Sequence, residues 1–210
     1  MKLYKRLAVI LAGSAMAVGF SSTWAYYSDT QSIVNPFHTT NSSIDMIEDF
    51  NPAETILPGE TVDKKPYFVN TGDTELVLRL EMDTYWMDKT TDHKAENLKT
   101  DMVTLKHPEG FVDEWIEIPE GSGIYYYAHI LEGKGKDKSK TSNFLDSLTL
   151  KPEVSNDDHA ADYSTGRFIV DFNADAVQAD AASLAVSNWG LTQSEVGANK
   201  LEWKDLLPTS

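Results

Sequence analysis

Cysteine is absent from the 210 residues, which excludes a disulfide framework, a thiolate nucleophile, an Fe–S cluster and Cys-ligated zinc. Basic side chains are scarce: 18 Lys and Arg stand against 33 Asp and Glu, for a formal net charge of -15 and a pI near 4.6. So anionic a composition argues against a surface that neutralises phosphates, and so against nucleic acid and anionic lipid headgroups as partners. The H-E-x-x-H pair, the G-x-S-x-G elbow, the P-loop and the G-x-G-x-x-G turn are all missing. His38, His93, His107, His129 and His159 occur singly, leaving open only a metal site assembled from residues distant in sequence. The densest acidic group, Asn156, Asp157, Asp158, His159 and Asp162, lacks the spacing of a calcium loop and reads as a solvated loop. No catalytic residue, metal ligand or cofactor is assigned.

Long apolar runs are limited to one. Lys2, Lys5 and Arg6 precede the 14 uncharged, mostly apolar residues Leu7 to Phe20, a stretch too short to span a bilayer, which takes roughly 20 residues. This is the pattern of a signal peptide, with Ala25 as the small residue before the cut and Tyr26 as the first mature residue. The competing reading is an uncleaved anchor. Cleavage leaves 15 basic against 33 acidic side chains, a net charge of -18. An exported chain without cysteine is then held by its core alone, which a chain of this length can supply. Leu207-Pro208-Thr209-Ser210 lacks the rest of a wall-sorting signal and reads as a frayed end.

The mature chain alternates like a sheet protein. Ser43 to Glu48 reads as a strand, and Leu57-Pro58-Gly59-Glu60 as a turn leading into a second strand, Thr61 to Asn70. Asn70-Thr71-Gly72-Asp73 reads as a hairpin loop. From Thr74 to Tyr85 the period is two: Leu76, Leu78, Leu80 and Met82 take one face, and Val77, Arg79, Glu81 and Asp83 the other. A short helix is allowed around Lys94 to Thr100. Strands follow at Met102 to Lys106, Phe111 to Ile118, Ile124 to Leu131, Phe144 to Leu150 and Gly166 to Phe172. Ala174 to Ser187 is Ala-rich and prefers helix. Seven to nine short strands with one or two short helices define an all-β jelly roll or β-sandwich, a single domain over 44–210. Its expected core is Leu76, Leu78, Leu80, Met82, Phe168, Val170 and Phe172.

Three local patterns together resemble one family. Thr23-Trp24-Ala25-Tyr26-Tyr27-Ser28-Asp29 is similar to the signal region of Gram-positive proteins cleaved by a SipW-type signal peptidase. Leu57-Pro58-Gly59-Glu60 with Phe68-Val69-Asn70-Thr71-Gly72-Asp73 resembles the hairpin of the TasA/camelysin family. Gly123-Ile124-Tyr125-Tyr126-Tyr127 and Ala174 to Asp180 look like segments of its BsaA branch. The resemblance implies a secreted jelly-roll subunit of biofilm matrix fibres, at the cell surface or in the extracellular matrix. Its partners would be further copies of itself, the signal peptidase and other matrix components, with no membrane contact after cleavage. Subunits of such fibres join by donor-strand exchange, and here 26–43 is the donor segment, with Tyr26, Tyr27, Ile33, Val34 and Phe37 as its apolar residues. The competing arrangement is a local strand folded onto its own domain. The camelysin label also implies a metallo-endopeptidase, for which no zinc motif is present, and an adhesin domain is the third reading.

Overall fold

A computed structural model describes residues 31–34, 37–39, 43–48, 55–154, 161–196 and 201–209. The expected signal peptide, its cleavage pair Ala25 and Tyr26, the donor residue Tyr27 and most of the acidic loop at 156–159 lie outside the described residues. In chain order the strands are β1 (Gln31–Val34), β2 (Phe37–Thr39), β3 (Ile44–Ile47), β4 (Thr55–Ile56), β5 (Thr61–Asp63), β6 (Tyr67–Asn70), β7 (Leu76–Asp88), β8 (Val103–Lys106), β9 (Trp115–Glu117), β10 (Ile124–Tyr127), β11 (Ser147–Leu150) and β12 (Gly166–Gln178). Two short helices, α1 (Phe111–Glu114) and α2 (Ala181–Val186), interrupt them.

The strands form a β-sandwich. One layer is a large sheet in the order β4-β1-β12-β7-β10-β9, with β2 also paired to β12. The other layer comprises β5-β11-β8 and the pair β3-β6. Its spine is the antiparallel ladder between β7 and β12, in register from Leu76↔Gln178 to Asp88↔Gly166. Because side chains alternate across a strand, Leu76, Leu78 and Leu80 join Phe172 of neighbouring β12 on the inner face, in one buried cluster with Phe68, Phe144 and Leu148. Phe168 and Val170 are buried with them, and Met82 packs against the cluster partly exposed.

The opposite face of the large sheet is covered as well. Val77 and Tyr126 pack under Leu184, Leu191, Val196, Leu201, Trp203 and Leu207, which form a second apolar cluster. Of the end expected to fray, Leu207 is packed, while Pro208 and Thr209 are exposed. Leu207 is buried, the Trp203 indole donates to the Tyr127 carbonyl at 3.0 Å, and the Glu202 amide donates to the Ala128 carbonyl at 2.7 Å.

Five local expectations are corrected. Thr61 to Asn70 is two strands in different sheets, divided at Lys64-Lys65-Pro66, where Pro66 has no N–H to give a ladder. Asn70 to Asp73 is not a hairpin loop but a crossing from one layer to the other, since β6 pairs with β3 and β7 with β12 and β10. Phe111 to Glu114 forms one helical turn, which places Phe111 and Trp115 in the same aromatic cluster, and only Trp115–Glu117 is strand. Lys94 to Thr100 forms no α-helix; a 3-10 turn at Thr100–Met102 follows it. Ala174 to Gln178 continues β12, with the small Ala174 and Ala176 in register with Leu80 and Leu78. A ladder and a buried face outweigh the modest helix preference of alanine there. Helix starts only at Ala181, after Asp180 accepts from the Ser183 amide at 2.8 Å.

Candidate functional site

The N-terminal strands occupy the edge of β12. Ser32, Ile33 and Val34 pair in parallel with Arg167, Phe168 and Ile169, and Phe37, His38 and Thr39 pair with Phe172, Asn173 and Ala174. Both tracts share one register on β12. On its other side β1 pairs antiparallel with Thr55 and Ile56 of β4. Of the expected donor residues, Ile33 and Val34 thus lie in β1 and Phe37 in β2, along the chain's own sheet. His38 and Thr39 extend the pairing beyond the expected apolar residues.

Behind this edge the interior is aromatic. Phe172 meets Phe68 and Phe144 edge-on, with ring centroids 6.0 and 5.5 Å apart, and Trp115 approaches Phe144 at 5.0 Å.

The family-like turns are structural knots. The Asn70 side chain is wholly buried. Its amide donates to the carbonyls of Thr74, Leu131 and Glu132 at 2.7, 3.3 and 3.0 Å, and its oxygen accepts from the Gly72 amide at 2.9 Å. Asn70 therefore closes the crossing between layers. In Leu57-Pro58-Gly59-Glu60, Gly59 takes φ 87, a conformation other residues adopt only with strain, and the Glu60 carboxylate accepts from the Leu57 amide at 2.9 Å.

Two polar constellations escaped the sequence reading. The Lys64 ammonium is fully buried 3.1 Å from the Glu48 carboxylate, and burial lowers its pKa from 10.5 to about 8 against the pull of Glu48. The Tyr127 hydroxyl donates to Glu114 at 3.2 Å, and burial, reinforced by that carboxylate, pushes its pKa up to about 12. His129 stands between Glu202, 3.3 Å from Nδ1, and Glu114, 3.6 Å from Nε2. Partners so distant in sequence leave no motif; only the run of three tyrosines marked this strand.

Among the described residues no three His or carboxylate side chains are placed to hold a metal ion. His107 is a packing residue: its Nδ1 lies 2.7 Å from the Phe144 carbonyl and its ring stacks on Phe111 at 3.8 Å. No helix of the described residues is long and apolar enough to cross a membrane. Comparisons with protein-family models, with curated proteins and with solved structures return no match for this chain.

Proposed function

We propose that the chain is a secreted structural subunit of biofilm matrix fibres that assembles head-to-tail by lending its N-terminal segment to the sheet of the next copy. The observation that carries this reading is the single parallel register of β1 and β2 along β12. These are the first strands among the described residues, and a second copy's segment can form the same ladder. Exchanging an identical element between copies replaces each internal contact with an equal external one, so it costs little, and a head-to-tail exchange propagates without closing. Export through residues 1–25, processing by a SipW-type signal peptidase and contact with other matrix components belong to the same proposal. The resemblance of the turn and tyrosine segments to the TasA/camelysin family supports it.

The test is electron microscopy and light scattering on the chain starting at Tyr26 and on a form lacking Tyr26 to Phe37. Filaments are expected from the first alone. The same filaments from the shortened form would overturn donor exchange, and none from either would overturn the fibre.

A further inference from the structure

Glu114, at the end of α1, shares a cleft of about 290 Å³ with Tyr127, His129, Asp137, Lys138 and Lys140. Its carboxylate is held in place. The Tyr127 hydroxyl donates to Oε2 at 3.2 Å, and His129 Nε2 lies 3.6 Å from the same oxygen. His129 is itself fixed on its other side, with Glu202 3.3 Å from Nδ1. Tyr127 is buried against Trp115, with ring centroids 5.1 Å apart, so the donor that orients Glu114 is rigid. Both contacts fall on Oε2; among the described residues none falls on Oε1. Glu114 is therefore an oriented anion with one oxygen to spare.

The cations of the cleft stand on a backbone that is equally fixed. The Asn70 amide donates to the Ser139 carbonyl at 2.8 Å, the Thr141 amide to the Phe68 carbonyl at 2.9 Å, and the Phe68 amide to Thr141 Oγ1 at 3.0 Å. Residues 139–141 are thereby stitched to β6, and Lys138 and Lys140, beside and within that stretch, are exposed. The salt bridges of the described residues to Lys and Arg use Lys64, Lys65, Arg79, Lys94, Lys106 and Arg167, and neither of these two. The Lys140 ammonium has the Tyr67 ring at 5.9 Å, the outer limit of a cation–π contact. Glu114 and the two lysines thus line one cleft without neutralising one another.

Counting His129 as neutral, the lining is balanced, Glu114 and Asp137 against Lys138 and Lys140. A ligand of one sign leaves the opposite groups unmatched, and a free anion is also repelled by the net charge of -18 that the chain carries after cleavage. A molecule bearing both signs satisfies both sets and meets no net repulsion. Because no ion pair joins Lys138 or Lys140 to Glu114, its charges must stand apart, as the termini of a dipeptide do and the adjacent groups of a free amino acid do not. We infer that the cleft is a binding site for a zwitterion of dipeptide size, with the ammonium on Glu114, the carboxylate on Lys138 and Lys140, and an apolar side chain against Ile130. The volume lies at the small end of ligand sites, and groups already held by Tyr127 and β6 need little further ordering on binding. No residue of the cleft belongs to β1, β2 or β12, so the site does not depend on strand exchange.

The test titrates glycyl-leucine into ¹⁵N-labelled chain from Tyr26, a form that contains every described element, and follows the amide resonances. Saturable shifts at Glu114, His129, Lys138 and Thr141 are expected; none at these positions up to about 50 mM overturns the inference. N-acetyl-glycyl-leucine and glycyl-leucinamide each lack one charge and should bind about tenfold more weakly. Equal binding of either would leave only an apolar contact and overturn the inference. E114Q should bind glycyl-leucine about tenfold more weakly while leaving the acetylated peptide unaffected, and K138Q/K140Q should do the same while leaving the amide unaffected. A loss for all three peptides alike would make these side chains structural and overturn their assignment. Tighter binding of glucuronate or inorganic phosphate than of glycyl-leucine would mark an anion site and overturn it too. Should a variant misfold by circular dichroism, the capped peptides on the unaltered chain decide. Saturable binding without filaments would leave this site standing and the fibre refuted.

Discussion

The Lys64 ammonium lies 3.1 Å from the Glu48 carboxylate with the lysine side chain wholly withdrawn from water, tying the end of β3 to the crossover between β5 and β6. Removing one member of such a pair strands the other charge, so Glu48→Gln should cost about 3–5 kcal/mol, whereas K64M/E48L should stay within about 1–2 kcal/mol of the parent. Urea unfolding of the three proteins checks both.

The same pair predicts a pH dependence. Between pH 8 and 10 the unfolded lysine, with its ordinary pKa of 10.5, keeps its proton while the folded one, at about 8, has lost it. The unfolded state then binds more protons, so stability rises with pH, by about 3 kcal/mol over the whole interval to 10.5. Melting temperatures from pH 7.5 to 9.5 should rise for the parent relative to K64M/E48L. Above pH 10 the trend reverses, because buried Tyr127, held up to about 12, keeps a proton that its unfolded counterpart releases.

Asn70→Asp preserves shape but deletes the amide donor to three carbonyls and adds a buried charge. A loss on the order of 3 kcal/mol or more is expected. An unchanged denaturation midpoint would show that the crossing between layers closes without it.

Leu78 is fully buried and in register with Ala176, which has no bulk to fill a gap. Leu78→Ala should cost about 2–5 kcal/mol. Equal melting temperatures for variant and parent would contradict the burial of that face.

Salt should favour assembly. Screening relieves the repulsion between copies of net charge -18 and should speed filament growth through strand exchange. Light scattering should therefore rise faster at about 500 mM than at about 20 mM NaCl.

What could be read from sequence was whatever neighbours in the chain decide between themselves. The alternation of Leu76, Leu78 and Leu80 states which face of β7 seeks the core, and Pro58-Gly59 states a turn, because side-chain period and φ preference act over a few residues. The β-sandwich class followed from many such short signals. The tertiary structure decided the rest. Ala174 to Gln178 became strand because Leu76 to Leu80 offered a ladder, Lys64 turned inward because Glu48 waited there, and the C-terminal residues became a second core layer because Val77 and Tyr126 were left uncovered. The register of β1 and β2 on β12, on which the fibre proposal rests, joins residues far apart in the chain. No local pattern encodes such pairings, since their free energy appears only when the sheet is assembled.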